Sequence, residues 1–450
     1  MPLLDKKASR IFLHKKPHYQ TSMKKTLASV LLLIVAVSAL AQSAYDEILE
    51  NPQKASGLYY LYPVTTSLNT KAPKGYEPFY ISHYGRHGSR YLVSDEEYST
   101  PYEIFKKAEE KGVLTAKGKD LAKRLEAAWE DARGRSGELT QIGVRQHHDI
   151  AQRMYKAFPQ VFKGNPAITA RSTTVMRCAH SMAAFCEGLK ELNPKLDIPR
   201  ESGRRYMSYM ANTTKQASYF NRGDGPAAKR TAEFEKEIVK PERLMAEMFA
   251  DSAYAAANID ARKLMLNLFR IAIDLPNTEA GITIDDIFTP QEIYDLWQFY
   301  NYNYYNHMSN PTSAKGAVLD NARPLLRNIV ESATSMIESG RNGADLRFGH
   351  DSCIVPLLGL MKVEGCYGST DDPHKLHEVY ADYKVSPMAV NLQLVFFRNK
   401  AGDVIVKLMH NEREVSIPVA TDIAPFYHWK DVKEYFESIL NSPETTKESL

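Results

Sequence analysis

The segment Phe79-Tyr80-Ile81-Ser82-His83-Tyr84 runs directly into Gly85-Arg86-His87-Gly88-Ser89-Arg90. Aromatic and β-favouring residues stopped by two glycines predict a short strand that ends in a tight turn. In open α/β sheets, ligands bind beyond the carboxyl ends of the strands, so this turn is where a site is expected. Two arginines flanking a histidine make a compact positive centre. Guanidinium groups match phosphate oxygens two at a time, and Gly88 lets the backbone come close to a ligand. Nearby positive charge lowers an imidazole pKa, and the ring must be neutral to attack. His87 is therefore the candidate nucleophile, with Arg86 and Arg90 as candidate phosphate-binding groups.

Further along the chain the same unit recurs. Thr140 is placed to N-cap a helix that runs to about Phe158, where Pro159 stops it. Ala167–Ala170 reads as a strand, and Ser172, Thr173 and Thr174 then open a helix through about Leu189. Arg171 stands between strand and helix, where free N–H groups and the helix dipole favour anions. Arg177, six residues on, would be turned by about 240° from Arg171 on one helix, away from a pocket that Arg171 faces. Asp345–Gly349 is a third strand, followed by His350-Asp351 and a helix-like run to about Met361. A His and an Asp at a strand end can supply a hydrogen-bond donor to an anion and a general acid. Asn391–Arg398 and Asp403–His410 read as a hairpin across Asn399–Gly402.

Strand–helix units of this kind predict an α/β sheet domain, drawn from residues 42–192 and 341–450. Between them, residues 193–340 show apolar residues at helical spacing in Phe234–Phe249, Ala261–Ile273, Pro290–Tyr300 and Pro324–Ile337. This stretch is expected to be an α-helical insertion. The tyrosine-rich run Tyr300–Tyr305 within it reads as packing. Arg204, Arg205, Lys215, Arg222, Lys229 and Arg230 form a basic stretch at its start, either a solvated face or a surface for a highly charged anion.

The 450 residues hold 57 Lys+Arg and 54 Asp+Glu, formally +3. That excess sits at the front. Met23-Lys24-Lys25, an apolar run from Leu27 and the ending Ala39-Leu40-Ala41 describe a secretory signal over residues 23–41. Residues 1–22 then read as a gene-model extension. Seven of the basic residues and one Asp precede Gln42, so the chain beyond Ala41 is net −3. The apolar run is too short for a stable membrane anchor. With a mildly acidic remainder and no nucleic-acid motif, nucleic-acid binding is excluded. Export permits disulfides among Cys178, Cys186, Cys353 and Cys366, but Cys178 and Cys186 on one straight helix would lie about 12 Å apart, too far to bridge. His374 and His377, spaced H-x-x-H in a polar stretch, read as surface residues, and no metal site is expected.

Taken together, Arg86-His87-Gly88-Ser89-Arg90, Leu139-Thr140-x-x-Gly143, Arg171-Ser172-Thr173 and His350-Asp351 resemble the histidine acid phosphatase branch of the histidine phosphatase superfamily, from about Tyr80 to Pro418. The resemblance implies a three-layer α/β/α sandwich of the phosphoglycerate-mutase-like type with an α-helical lid. It implies a phosphomonoester hydrolase that needs no cofactor. His87 would form a phosphohistidine, Arg86, Arg90, Arg171 and His350 would bind the phosphoryl oxygens, and Asp351 would protonate the leaving alkoxide. The flanks, Gly75–Arg90 and Ser386–Gln393, resemble bacterial multiple inositol-polyphosphate phosphatases, which implies inositol polyphosphates, phytate included, as substrates. Two departures stand out. Leu92 replaces a common Pro, and His350-Asp351-Ser352 replaces the His-Ala-Glu of those phosphatases. The His-Asp form is that of acid phosphatases, so a broad-specificity enzyme acting on sugar phosphates is the alternative. A mutase-like phosphotransferase would return phosphate to a sugar acid, and a phosphate-binding protein would not need His87 or Asp351. Oligomeric state is not legible.

Overall fold

The protein is described by a computed structural model covering residues 43–64 and 69–446. The extension and secretory-signal readings lie outside the described residues. The central strand is β1 (Glu77–Arg86), and it reaches two residues further at each end than the sequence suggests. On one side β1 pairs in parallel with β4 (Gly343–Gly349), β4 with β2 (Ala167–Ser172), and β2 with β3 (Arg200–Ser202). On its other side lie, antiparallel, β5 (Asn391–Arg398), β6 (Val404–His410) and β7 (Arg413–Val415), with β8 (Phe426–His428) also on β6. The order is β3-β2-β4-β1-β5-β6-β7. The hairpin expected between residues 391 and 410 is the β5–β6 pair.

β1 is buried on both faces from Phe79 to Arg86, as a central strand with helices above and below must be. Its alternation sorts the layers. Ile81 faces a core shared with Ile150, Phe185 and Leu189, carried by helices α3 (Gln141–Ala157) and α4 (Met176–Leu192). Tyr80 and Tyr84 face the opposite core, where Leu326, Leu358 and Phe436 come from α8 (Arg323–Ser339), α9 (Asp351–Leu360) and α10 (Trp429–Asn441). This is the expected three-layer α/β/α sandwich.

The remaining long helices are α1 (Glu96–Glu110), α2 (Ala116–Ala132), α5 (Pro226–Ile238), α6 (Ala261–Asp274) and α7 (Pro290–Met308). α7 starts where Thr289 and Glu292 form a capping box around Pro290. Its Tyr300, Tyr302 and Tyr305 are buried, the packing role expected of the tyrosine run. α1 and α2 precede residue 193, yet their Tyr98, Phe105, Leu121 and Leu125 share one core with Leu264, Leu268 and Trp297 of α6 and α7. β3 falls inside the stretch read as helical: three residues are too few to carry a periodic signal of their own.

Register decides where a site can form. Arg86 pairs with Gly349 and Ser172 with Phe348, so β1, β2 and β4 end at one level, with the residues after them side by side.

Candidate active site

Arg86 closes β1. Its backbone N–H donates to Val390 O at 2.8 Å, and its side chain is fully enclosed. Nη1 donates to the carbonyls of Leu58 (2.6 Å) and Ser386 (3.0 Å), and Nη2 lies 2.8 Å from Asp351 Oδ2. A guanidinium tied down on two sides presents its remaining edge in one orientation. His87 follows, its N–H on Gly349 O at 2.9 Å and its ring Nδ1 at 2.9 Å from Gly88 O. A carbonyl can only accept, so Nδ1 carries the proton and Nε2 holds the free lone pair. Burial, then Arg86, Arg90 and Arg177, hold the His87 pKa well below the ordinary value. The imidazole is therefore neutral, the form a nucleophile requires.

The turn that carries His87 is locked by close backbone packing. A Cβ on Gly88 would lie 2.5 Å from Gly143 O, and a Cβ on Gly143 would lie 2.3 Å from Ser89 O. Thr140 explains the rest of its motif. Its hydroxyl accepts from Gly143 N (3.3 Å) as the N-cap of α3 and donates to Ser89 O (3.1 Å). Gly88 N donates to Ser181 Oγ of α4 at 3.1 Å. Ser89 is bound in turn by Gln146 and by Asn277, whose Nδ2 reaches Tyr59 O at 2.8 Å.

Arg90 is 6% exposed, donates to Tyr91 O (2.8 Å) and to the Tyr59 hydroxyl (3.3 Å), and lies over the Tyr59 ring. Beneath it, Tyr98 bridges the Leu92 N–H (3.3 Å) and the buried carboxyl of Asp274. A proline at 92 would have no N–H to offer, so here Leu92 serves the Tyr98–Asp274 pair. Burial pushes the Asp274 pKa up to about 7, against the pull of Arg90 and the hydrogen bond from Tyr98.

The two arginines near β2 lie differently from the helical-wheel expectation. β2 continues through Ser172, and Thr173 N still bonds Phe348 O at 3.0 Å; α4 begins only at Met176. Arg171 is thus a strand residue. It stands 3.5 Å from Glu201 and 3.9 Å from Asp345, over the ring of Tyr206. Arg177 lies in the first turn of α4, where its charge acts on His87, Arg90 and His350. The two do not share a helix, so no 240° turn separates them, and Arg177 adds its charge to those of Arg86 and Arg90 at His87.

His350 caps α9, its N–H on the Tyr84 hydroxyl (3.2 Å) and its Nε2 3.2 Å from Thr173 Oγ1. Its ring centroid is 5.8 Å from that of His87. Burial lowers its pKa to about 4, with Asp351 opposing. Asp351 is the first residue of α9, and its Oδ1 accepts from Ser352 N at 2.8 Å. Burial would raise its carboxyl, but Arg86, Arg90 and His350 outweigh that and hold it below the usual range.

His87, His350 and Asp351 thus converge with Arg86, Arg90 and Arg177, and neither Arg90 nor Arg177 has a carboxylate within ion-pairing distance among the described residues. Of the basic stretch, Arg205 pairs with Glu201, Arg222 with Asp224, and Arg230 with Ser313. His374 pairs with Glu237 at 3.0 Å on the surface. All four cysteines are free and buried. No helix among the described residues is long and apolar enough to cross a membrane. Sequence reading missed Tyr59, Arg270 and Asn277, which carry no motif; a buried polar residue has no local signal when its partner is distant.

The chain is 22% identical over 461 residues to multiple inositol polyphosphate phosphatase 1 of Gallus gallus, covering 92% of this chain and 94% of that one. Its fold matches the multiple inositol polyphosphate phosphatase of Bifidobacterium longum in complex with inositol hexasulfate (TM-score 0.71, 18% identity, 88% and 98% of the two chains). It also matches the phytase of D. castellii (TM-score 0.59, 14% identity, 87% and 85%). The sequence profile of branch 2 of the histidine phosphatase superfamily matches residues 85–411, and the chain belongs to that family.

Proposed function

We propose that this protein is an exported phosphomonoester hydrolase that works through a phosphohistidine on His87 and acts on inositol polyphosphates, phytate included. One observation carries the reading: a neutral imidazole whose Nδ1–H is fixed on Gly88 O offers Nε2 inside a cluster of three arginines. Arg86, Arg90 and Arg177, with His350, bind the phosphoryl oxygens and stabilise the charge that spreads over them in the transition state. The Nε2 lone pair forms the N–P bond as the P–O bond to the alcohol breaks. Asp351 gives its proton to the departing alkoxide, and the resulting carboxylate takes a proton from the water that attacks the phosphohistidine. Release of inorganic phosphate restores neutral His87. The similarity to proteins named as inositol polyphosphate phosphatases and phytases supports the substrate class. The apolar segment ending at Ala41 supports export.

The test is a phosphate-release panel with the purified protein on phytate, lower inositol phosphates, sugar phosphates and 2,3-bisphosphoglycerate. Faster release from inositol polyphosphates is expected, and His87→Ala is expected to abolish it. Equal or faster turnover of sugar phosphates would remove the inositol-polyphosphate reading. Substantial activity left in His87→Ala would remove the nucleophile.

A further inference from the structure

Beside the pocket, two arginines from opposite parts of the chain meet on one uncharged oxygen. Arg90 Nη2 and Arg270 Nη2 lie 3.3 and 3.1 Å from the hydroxyl of Tyr59. Both guanidinium groups also lie over the Tyr59 ring, at 5.1 and 5.7 Å from its centroid. We propose that Arg270, joined to Arg90 through Tyr59, forms a second anion subsite next to His87 that holds a neighbouring phosphoryl group of the same substrate. This rests on the reading of the protein as a phosphatase of polyphosphorylated alcohols, and it names which residue selects for them.

Charge is the first reason. Two guanidiniums sharing one neutral acceptor repel each other, and a bound anion relieves that repulsion. Direct carboxylate partners are few: Asp351 for Arg86 and Glu97 for Arg270, the latter at 2.5 Å from Nε. Arg90 and Arg177 have none within ion-pairing distance among the described residues. Arg86, Arg90 and Arg177 are the arginines whose charge acts on His87, and Arg270 is a fourth guanidinium outside that set, tied to it through Tyr59.

Geometry is the second. Arg270 Nη1 also donates to the hydroxyl of Tyr304 at 3.3 Å, and the side chain of Arg270 keeps 25% of its surface exposed. It is held in place yet reachable. The Tyr59 oxygen accepts from both arginines, which leaves its own O–H free to donate to a ligand oxygen. Both guanidinium nitrogens are within 3.3 Å of that oxygen, so anions bound to Arg90 and Arg270 are near neighbours. The chemistry that fits is an alcohol with phosphates on adjacent carbons.

The third is how Tyr59 is held. Leu58 O takes Arg86 Nη1, Tyr59 O takes Asn277 Nδ2, and Tyr60 O takes Met388 N at 2.8 Å. One short segment thus orients Arg86, Arg90 and Arg270 together, and it precedes residues 85–411, the part that matches the family profile. Asp382 locks the segment: a Cβ on Gly57 would lie 2.3 Å from its Oδ2.

The experiment measures competitive inhibition of p-nitrophenyl phosphate hydrolysis by myo-inositol hexakissulfate and by inorganic phosphate. The readout is the ratio of the two inhibition constants. Arg270→Met combined with Glu97→Gln, which leaves no orphan carboxylate, should weaken hexakissulfate at least tenfold more than phosphate. Arg270→Lys should keep part of that discrimination, and Tyr59→Phe should lose at least threefold of it while retaining both charges. Arg222→Met, a loss of charge elsewhere on the surface, should leave the ratio unchanged. An unchanged ratio in the double variant, or in Arg270→Lys and Tyr59→Phe should the double variant not fold, overturns the proposal. So does an equal shift in Arg222→Met. A wild type that prefers sugar phosphates but still shows the Arg270-dependent ratio would sink the inositol-polyphosphate reading and leave the subsite standing.

Discussion

Arg86 Nη2 and Asp351 Oδ2 are 2.8 Å apart, and the pair joins the end of β1 to the first turn of α9. On the proposed mechanism the contact links a phosphate-binding group to the proton donor. In the free protein it keeps Asp351 below the ordinary carboxylate range. On that mechanism a phosphoryl dianion bound to Arg86 and Arg90 would offset their pull and let the proton settle on Asp351.

Asp351→Asn keeps the shape of that contact and removes the proton. Alkyl phosphates, whose leaving groups need protonation, should slow by about 10²–10⁴ in kcat. p-Nitrophenyl phosphate, with a good leaving group, should slow far less. Steady-state kinetics on the two substrates decides it: equal losses would take the general-acid role away from Asp351.

Arg177 and Arg171 should separate cleanly. Arg177→Ala removes a charge that acts on His87, and a loss of about 10²–10³ in kcat is expected. Arg171→Ala disturbs a pair with Glu201 and a stack on Tyr206, so its effect on kcat should stay below about tenfold. The reverse order would return the phosphate-binding role to Arg171.

His83 and His147 are buried among Phe185 and Phe348; among the described residues His83 has no hydrogen-bond partner, and His147 meets only the backbone of Arg86, too loosely for a well-formed hydrogen bond. Burial holds them at about 3 and about 4. Both folded values are depressed from 6.5, so the unfolded chain binds more protons below that pH. Stability is complete above pH 6.5 and falls as the solution is acidified toward 4, by about 1.4 kcal/mol per pH unit for each histidine. Urea unfolding of wild type and His147→Leu between pH 4 and 7.5 should show a shallower acid slope in the variant. Parallel slopes would show that these rings are hydrated in the folded protein.

Gly143→Ala places a methyl 2.3 Å from Ser89 O, where only backbone can give way. A loss of about 1–3 kcal/mol in unfolding free energy is expected, together with reduced kcat as the His87 turn is displaced. Normal stability and activity would mean that the turn has room to relax.

Chelation is a simple check on the chemistry. On the proposed mechanism Arg86, Arg90, Arg177 and His350 supply the charge that a metal ion would otherwise provide, so EDTA should leave phosphate release unchanged. Inhibition reversed by one added divalent cation would contradict this mechanism.

The amino-acid sequence by itself determined the strand–turn–helix units and which residues stand at their ends. These signals are local: Gly88 after an aromatic strand, Thr140 three residues before Gly143, and His350-Asp351 at a strand end. Each can be read within a few residues because turns, caps and charge pairs act over that distance. Only the tertiary structure decided which arginine meets His87. The continuation of β2 to Ser172 is set by its pairing with β4, and with α4 starting only at Met176, Arg177 falls in its first turn, where its charge acts on His87. Tyr59, Arg270 and Asn277 were invisible for the same reason: Tyr59 meets Arg90, Asn277 meets Ser89 and Arg270 meets Tyr59 from distant parts of the chain. A contact made by long-range packing leaves no periodicity and no motif where its residues stand.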